Sequence, residues 1–352
     1  YVLALNDLLH LGKHRRGTDK DTSVTTRFDA GGVGFLFWTR KPSDDNLSLF
    51  AEADPEEVRK LLSAPQRGRD TTLDPSQNDF YLLAVSGNGG RLLVRYWFHD
   101  KLENVRDNVR GWFEGLRIAD VFHQGTPSEA PPLWKLLAAL SLRDKPDKVP
   151  ANRVVQLVRR ALHGLPLGRT ILAAALNRIR AKKGGERLSP IRVGLVRMCV
   201  NDLEQVEKKG APFMGESLDQ SLQHPAYVCG RLLAVYDKLQ YAAQGEVNVT
   251  VADRYYGMAS TRPQAAFPSV ERLSRAHLKK LRRDNRGAAV NIEREIGELL
   301  SRLDGRFPSY FTLEDQGRFT IGFHHQKADD QKRIAEAKDR KSAATHESEP
   351  VE

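Results

Sequence analysis

Residues 80–97 read Phe-Tyr-Leu-Leu-Ala-Val-Ser-Gly-Asn-Gly-Gly-Arg-Leu-Leu-Val-Arg-Tyr-Trp. Two apolar runs, 80–85 and 91–97, flank a Ser-Gly-Asn-Gly-Gly stretch. Glycine and asparagine tolerate the positive φ angles of a tight reversal, so this stretch reads as an antiparallel hairpin. Working outward, residues 32–40 (Gly-Val-Gly-Phe-Leu-Phe-Trp-Thr-Arg) form a further strand pattern. Between them, residues 41–78 hold a short acidic helix from Pro55 to Leu62 and polar loops. Residues 102–117 carry Val105, Val109, Trp112, Phe113 and Leu116 on one helical face.

Beyond Pro131-Pro132 the pattern becomes helical and stays so. Helical spacing occupies 133–142, 151–163, 168–182 and 190–202, and Ser189-Pro190 is an N-cap followed by Pro at the first helical position. Pro225 opens and Gly245 closes a helix with Val228, Leu232, Val235, Tyr236, Leu239 and Ala243 on one face. Helices are expected at 268–283 and 288–303, with a short helix or irregular cap over 313–326. From Lys327 the chain is charged, polar and nearly free of large apolar residues, the composition of a disordered tail. The expected fold is an α+β N-terminal part with an antiparallel β-hairpin, followed by a mainly α-helical region ending in an antiparallel helix bundle. Its divisions are expected at 1–130 (α+β), 131–210 (basic helical), 211–326 (helix bundle) and 327–352 (tail). Tyr1 to His10 has no initiating Met and reads as helix interior, so the chain is expected to begin partway through a larger protein.

The 352 residues suit two or three domains at about 100–200 residues each. Two cysteines, Cys199 and Cys229, cannot build a disulfide scaffold or a four-cysteine zinc site. Both lie among apolar helical residues, as buried free thiols of a reducing compartment do. No apolar run approaches the roughly 18–20 residues needed to cross a bilayer.

The net charge of +10 favours polyanionic partners. It is concentrated: residues 143–197 hold 14 Lys/Arg against three acids, and 135–212 contain no Phe, Trp or Tyr. A cationic segment without stacking aromatics suits phosphate contacts better than base contacts. Arg159, Arg160, Arg169, Arg178, Lys182 and Lys183 are its candidate nucleic-acid contacts, against the plainer reading of solvated helix faces. A sharper pattern follows at Arg272, Arg275, Lys279, Arg282 and Arg286, spaced 3, 4, 3 and 4 apart with Arg283 beside them. At about 100° per residue these share one helix face, and Val270, Leu273, His277 and Leu281 lie opposite. Like charges at i, i+4 repel, and a bound polyanion would offset that. His277 reads as a satisfied core histidine.

Signals for catalysis are weak. Residues 87–91 (Gly-Asn-Gly-Gly-Arg) match neither a dinucleotide fingerprint nor a P-loop, and residues 31–34 precede a strand rather than follow one. His99-Asp100 matches an HD-type metal hydrolase, without a second His cluster or paired carboxylates to support it. His324 and His325 are adjacent and diverge by about 100° on a helix, so they share a metal poorly. The pattern is that of a non-enzymatic binding protein with no metal or cofactor site. An HD-type nuclease or phosphohydrolase and a structural scaffold without direct DNA contact are the two alternatives.

Several segments together resemble one family. They are residues 78–83 (Asn-Asp-Phe-Tyr-Leu-Leu), 87–91 running into 95–97 (Arg-Tyr-Trp), 167–172 (Leu-Gly-Arg-Thr-Ile-Leu) with 177–180 (Asn-Arg-Ile-Arg), and 224–235 (His-Pro-Ala-Tyr-Val-Cys-Gly-Arg-Leu-Leu-Ala-Val). They continue with 253–257 (Asp-Arg-Tyr-Tyr-Gly), 267–274 with 277–280, 313–319 (Leu-Glu-Asp-Gln-Gly-Arg-Phe) and 322–326 (Gly-Phe-His-His-Gln). In this order they resemble the large subunit of the type I-C CRISPR Cascade, the Csd-type family. The chain departs from the family at Phe323-His324, where two aromatics are common, and the family's chains begin well before Tyr1.

The resemblance implies a prokaryotic, cytoplasmic, non-catalytic subunit of an RNA-guided DNA surveillance complex. Implied partners are the crRNA-bearing backbone subunits, target duplex DNA, the displaced non-target strand, small-subunit copies and a helicase–nuclease, with no membrane. The large subunit would recognise the PAM and help open the duplex, while base pairing reads the remaining sequence. In that setting Asn88, Arg91 and Arg95 of the hairpin could reach a groove or phosphates, since Asn pairs with adenine and Arg with guanine. Equally, Asn88 could serve the turn alone. The family also makes its small subunit from an internal start, and Met214, after the Gly210-Ala-Pro212 break, is the residue placed for one; the plainer reading is an ordinary loop Met.

Overall fold

The computed structural model describes residues 25–41, 49–63, 78–88, 91–141, 144–207, 210 and 212–346. It divides into two compact units, 1–116 with 129–167, and 117–128 with 168–352.

The first unit is built on a four-stranded antiparallel meander: β1 (Thr25–Ala30), β2 (Val33–Thr39), β3 (Asp79–Asn88) and β4 (Arg91–Lys101), in that order across the sheet. Gly31 and Gly32 join β1 to β2 at φ +55° and +75°, a conformation that favours glycine. A Cβ on Gly31 would also lie 2.5 Å from Cγ2 of Val154. Asn88 pairs with Arg91 at the tip of the expected hairpin, and a bulge at Ala84/Val85 shifts its register. Sequence pattern alone gives little signal for β1, whose one large apolar residue is Phe28.

Strand alternation sends Phe35, Phe37, Phe80, Leu82 and Phe98 to one buried face. Phe28 and Phe50 complete that layer, Phe28 stacking on Phe35 at 4.6 Å between centroids. Phe50 belongs to α1 (Leu49–Glu52), and α2 (Pro55–Ser63) follows it. Directly after β4 comes α3 (Leu102–Leu116), burying the apolar face expected of it, including Trp112 and Phe113. α4 (Leu133–Leu140) and α5 (Ala151–His163) complete the unit, and Asn108 Nδ2 of α3 donates to the Leu162 carbonyl of α5 at 2.9 Å.

The second unit is helical: α6 (Arg169–Ala181), α7 (Pro190–Glu207), α8 (Pro225–Gln244), α9 (Val251–Ala259), α10 (Pro263–Asp284), α11 (Arg286–Ser301) and α12 (Leu313–His346). α8 is its hub and packs against α9, α10, α11 and α12. The α8–α12 crossing is very close: a Cβ on Gly230 would sit 2.0 Å from the Phe319 carbonyl oxygen, and one on Gly322 2.2 Å from that of Tyr227.

α12 departs most from the sequence expectation. Instead of a short cap over 313–326, it is a 34-residue helix that reaches the core, burying Phe319, Ile321, Phe323 and Ala328. It also continues past Lys327, where a tail was expected, and Asp330 is still buried. Its amphipathic pattern is hidden because the buried face carries Arg318, Thr320, His324, His325 and Gln326, each with a partner. Arg318 meets Glu204 at 3.0 Å, Thr320 meets Tyr256, His325 meets Tyr227 and Gln326 meets Arg231. Buried polar groups are tolerated when so paired. Among the described residues, no helix is long and apolar enough to cross a membrane.

Candidate nucleic-acid interface

α10 begins with Pro263 at its first position, where the missing N–H loses no helical bond. Its inward face buries Phe267, Val270, Ser274, His277 and Leu281. Leu273, expected in the core, is half-buried. Opposite, Arg272, Arg275, Lys279, Arg282 and Arg283 are exposed. Lys280, which the spacing argument passed over, is exposed beside them. The stripe does not run on along one helix to Arg286. Asn285 ends α10 and caps α11, its side chain accepting from the Ala288 N–H at 3.0 Å, so Arg286 is the first residue of α11.

One of these cations is neutralised: Arg282 meets Glu293 of α11 at 2.6 Å. Among the described residues, Arg272, Arg275, Lys279, Arg283 and Arg286 have no side-chain hydrogen bond or ion pair. Uncompensated like charges at i, i+3 and i+4 destabilise a helix by a few tenths of a kcal/mol per pair. Behind them, His277 Nε2 has no hydrogen-bond partner among the described residues, so the core histidine is not fully satisfied there. Burial, then Lys280, lowers its pKa.

The basic segment is divided between the two units. Arg159 and Arg160 belong to the first unit, and Arg169, Arg178, Lys182 and Lys183 to the second. The guanidinium of Arg159 is exposed and lies 5.3 Å from the centroid of the Tyr96 ring. Arg160 and Arg178 are half-buried. Arg169 is clamped by Glu207 and Glu314, and Lys182 meets Glu186 at 3.1 Å, leaving Lys183 the exposed cation of its turn. Three further arginines of the segment are internal. Arg187 pairs with Asp253 at 3.2 Å and packs on Tyr256, Arg192 donates to the Glu186 carbonyl, and Arg197 donates to that of Met214.

On the hairpin, Arg91 is exposed next to the turn, whereas Arg95 spends its Nε on Ser86 Oγ at 2.7 Å. The sheet face away from the phenylalanine core holds an aromatic row that the sequence reading missed. Trp38, Tyr81 and His99 stand in register across three strands, Trp38 on Tyr81 at 5.5 Å and Tyr81 on His99 at 4.6 Å. Trp97 lies beside them and is 52% exposed. The available signal was aromatic alternation at i, i+2 on paired strands.

His99 and Asp100 are neighbours on β4 and point to opposite faces. His99 is 3.6 Å from Asp79, and Asp100 accepts from the Lys101 N–H and from Asn104. Among the described residues, no three His, Cys, Asp or Glu side chains converge as metal ligands would. His324 donates through Nε2 to the Ala119 carbonyl at 2.7 Å, and burial pushes its pKa down to about 4. Both cysteines are buried, and burial pushes the Cys229 thiol up to about 12. Met214 is fully buried, its N–H donating to Asn201 Oδ1 at 2.8 Å and its carbonyl accepting from Arg197 and Asn201.

A family model described as CRISPR-associated protein (Cas_Csd1) matches residues 1–330. No curated protein matches the chain.

Proposed function

The chain belongs to the Cas_Csd1 family of CRISPR-associated proteins, and from that premise we propose that it is the non-catalytic large subunit of a type I-C RNA-guided DNA surveillance complex. The observation that carries this reading is the α10 face, where exposed cations recur at helical spacing and Arg272, Arg275, Lys279 and Arg283 lack a carboxylate partner among the described residues. Such a face holds a phosphate backbone without reading its sequence, which suits a complex whose discrimination comes from guide pairing. Its ligand in this reading is the displaced non-target strand. Arg159, Arg178 and Lys183 are secondary phosphate contacts. Arg169 and Lys182 are weaker ones, since carboxylates already engage them.

The hairpin tip, with Asn88 and Arg91, is assigned to the PAM-proximal duplex, and the remaining partners are the crRNA-bearing backbone subunits, small-subunit copies and a helicase–nuclease. Met214 is assigned as the internal start of the small subunit. A protein of residues 214–352 keeps α8 to α12 together, although Met214 loses its contacts to Arg197 and Asn201.

The test is charge reversal at Arg272, Arg275 and Lys279, with non-target-strand binding by the assembled complex measured over a salt series. Each lost single-strand phosphate contact flattens the log–log salt slope by about 0.7, so the triple variant is expected to lose about two units. Unchanged affinity and slope would refute the assignment. For Met214, loss of the short product on recoding the Met codon is expected, and an unchanged short product overturns the internal start.

A further inference from the structure

Within the second unit, α8, α11 and α12 line a half-open cavity of about 680 Å³ whose wall includes Gln220, Arg231, Lys238, Glu295, Arg302 and Arg333. The acids in and around that wall each meet a cation, although Asp330 Oδ2 accepts no hydrogen bond among the described residues. Lys238 holds Glu295 at 2.6 Å and Asp330 at 2.8 Å, Arg333 holds Asp329 at 2.6 Å, and Arg294 approaches Glu298. Two arginines are left over. Arg231 is 5% exposed, its Nε donates to the Gln326 side-chain oxygen at 3.0 Å, and its Nη1 has no hydrogen-bond partner among the described residues. Arg302 donates to the backbone carbonyl of Gln220 and forms no ion pair among the described residues.

A buried guanidinium that meets a neutral amide but no carboxylate is costly. A second guanidinium on the same wall raises that cost. Burial lowers the pKa of Arg231; Tyr227 opposes this, the Arg302 charge adds to it, and Glu295 and Asp329 oppose it without reversing the direction. An anion in the cavity would relieve both groups. Guanidinium forks bind oxyanions through paired N–H donors, and two forks match the several oxygens of a phosphoryl group better than the two of one carboxylate.

We propose that this cavity is a phosphoryl-binding site, with Arg231 and Arg302 as its ligating residues. It uses a different part of the bundle from the exposed α10 face and does not depend on that face binding DNA. The phosphoryl group could belong to a nucleic-acid backbone or to a free phosphate compound, and the chemistry of recognition is the same.

The experiment follows thermal unfolding of the full chain, and calorimetric binding, with inorganic phosphate against sodium chloride of matched ionic strength. A parallel arm uses a short single-stranded oligonucleotide. Saturable stabilisation by phosphate is expected, weakened at least tenfold in Arg302→Gln, whose ligand-free melting temperature should be no lower than wild type because a repelling charge is removed. Arg231→Met is expected to abolish binding if it folds; if it does not, Arg302→Gln alone decides. An oligonucleotide that competes with phosphate, and loses that competition in Arg302→Gln, identifies the backbone as the source. Phosphate binding that the oligonucleotide cannot displace identifies a free phosphate compound. No saturable effect from either ligand, or an equal effect in Arg302→Gln, overturns the proposal.

Discussion

Replacing Gly230 with alanine tests the α8–α12 crossing on which the second unit is built. The added Cβ would lie 2.0 Å from the Phe319 carbonyl oxygen, 2.8 Å from the Phe323 nitrogen and 2.9 Å from the Phe319 carbonyl carbon. All three are backbone atoms, so no side-chain rotation can absorb the overlap. Restoring ordinary contact at 3.4 Å requires the helices to part by about 1.4 Å. That would loosen contacts around Tyr227, Phe319 and Phe323, which are at most 3% exposed. Forced overpacking costs about 1–3 kcal/mol, and a backbone clash belongs at the upper end. Alanine regains about 1 kcal/mol of helix propensity over glycine. The net loss is therefore about 2 kcal/mol, or a fall in melting temperature of about 4–8 °C. Far-UV circular dichroism melts of wild type, Gly230→Ala and Gly257→Ala measure it. Gly257, exposed in α9, is the control because its added Cβ meets nothing within 4 Å. The control should gain about 0.5–1 kcal/mol. A Gly230→Ala protein that melts at or above wild type would refute the close crossing.

Other consequences follow from buried polar groups. The folded-state pKa of His324, about 4, lies below its ordinary 6.5, so the unfolded chain binds the proton more readily. The stability this contributes is complete above pH 6.5 and is lost progressively as pH falls towards 4, by about 3 kcal/mol. His324→Gln can still donate to Ala119 but does not titrate, so urea unfolding from pH 7 to 4 should show a shallower decline; an unchanged pH slope contradicts this origin. Asp253→Asn should cost about 3 kcal/mol by leaving the buried Arg187 without its counter-charge, as denaturant titration would register, and a loss under about 1 kcal/mol argues against the pair. For Asp253, burial alone would raise the pKa, but hydrogen bonds from the Gly184 and Thr250 N–H groups and the charge of Arg187 lower it. Its contribution is therefore present above the ordinary value of 3.8 and vanishes as pH falls through the lower folded value, so Asp253→Asn should remove that part of the acid sensitivity.

How much could be read beforehand depended on the range of the forces involved. The β3–β4 hairpin was legible because turn chemistry and strand alternation act within a few residues. Both faces of α10 were legible because 3.6-residue periodicity separates Val270, His277 and Leu281 from Arg272, Arg275 and Lys279. β1 was not, since its pairing with β2 rather than its composition makes it a strand. α12 was misjudged because hydropathy counts His324, His325 and Gln326 as surface residues, although each is buried against a partner far away in the chain.

By itself, then, the sequence determined the order of β and α regions, the reversals between them, the family and the part of the positive stripe that lies on α10. Tertiary structure decided which charges remain available. Arg187 and Arg169 belong to the same basic run as Lys183, yet Asp253, Glu207 and Glu314 neutralise the first two and leave Lys183 exposed. Helix and turn propensities are local, so they are written in neighbouring residues. A Coulomb interaction depends on distance in space and on exclusion of water, and both are set only when segments far apart in the chain pack together.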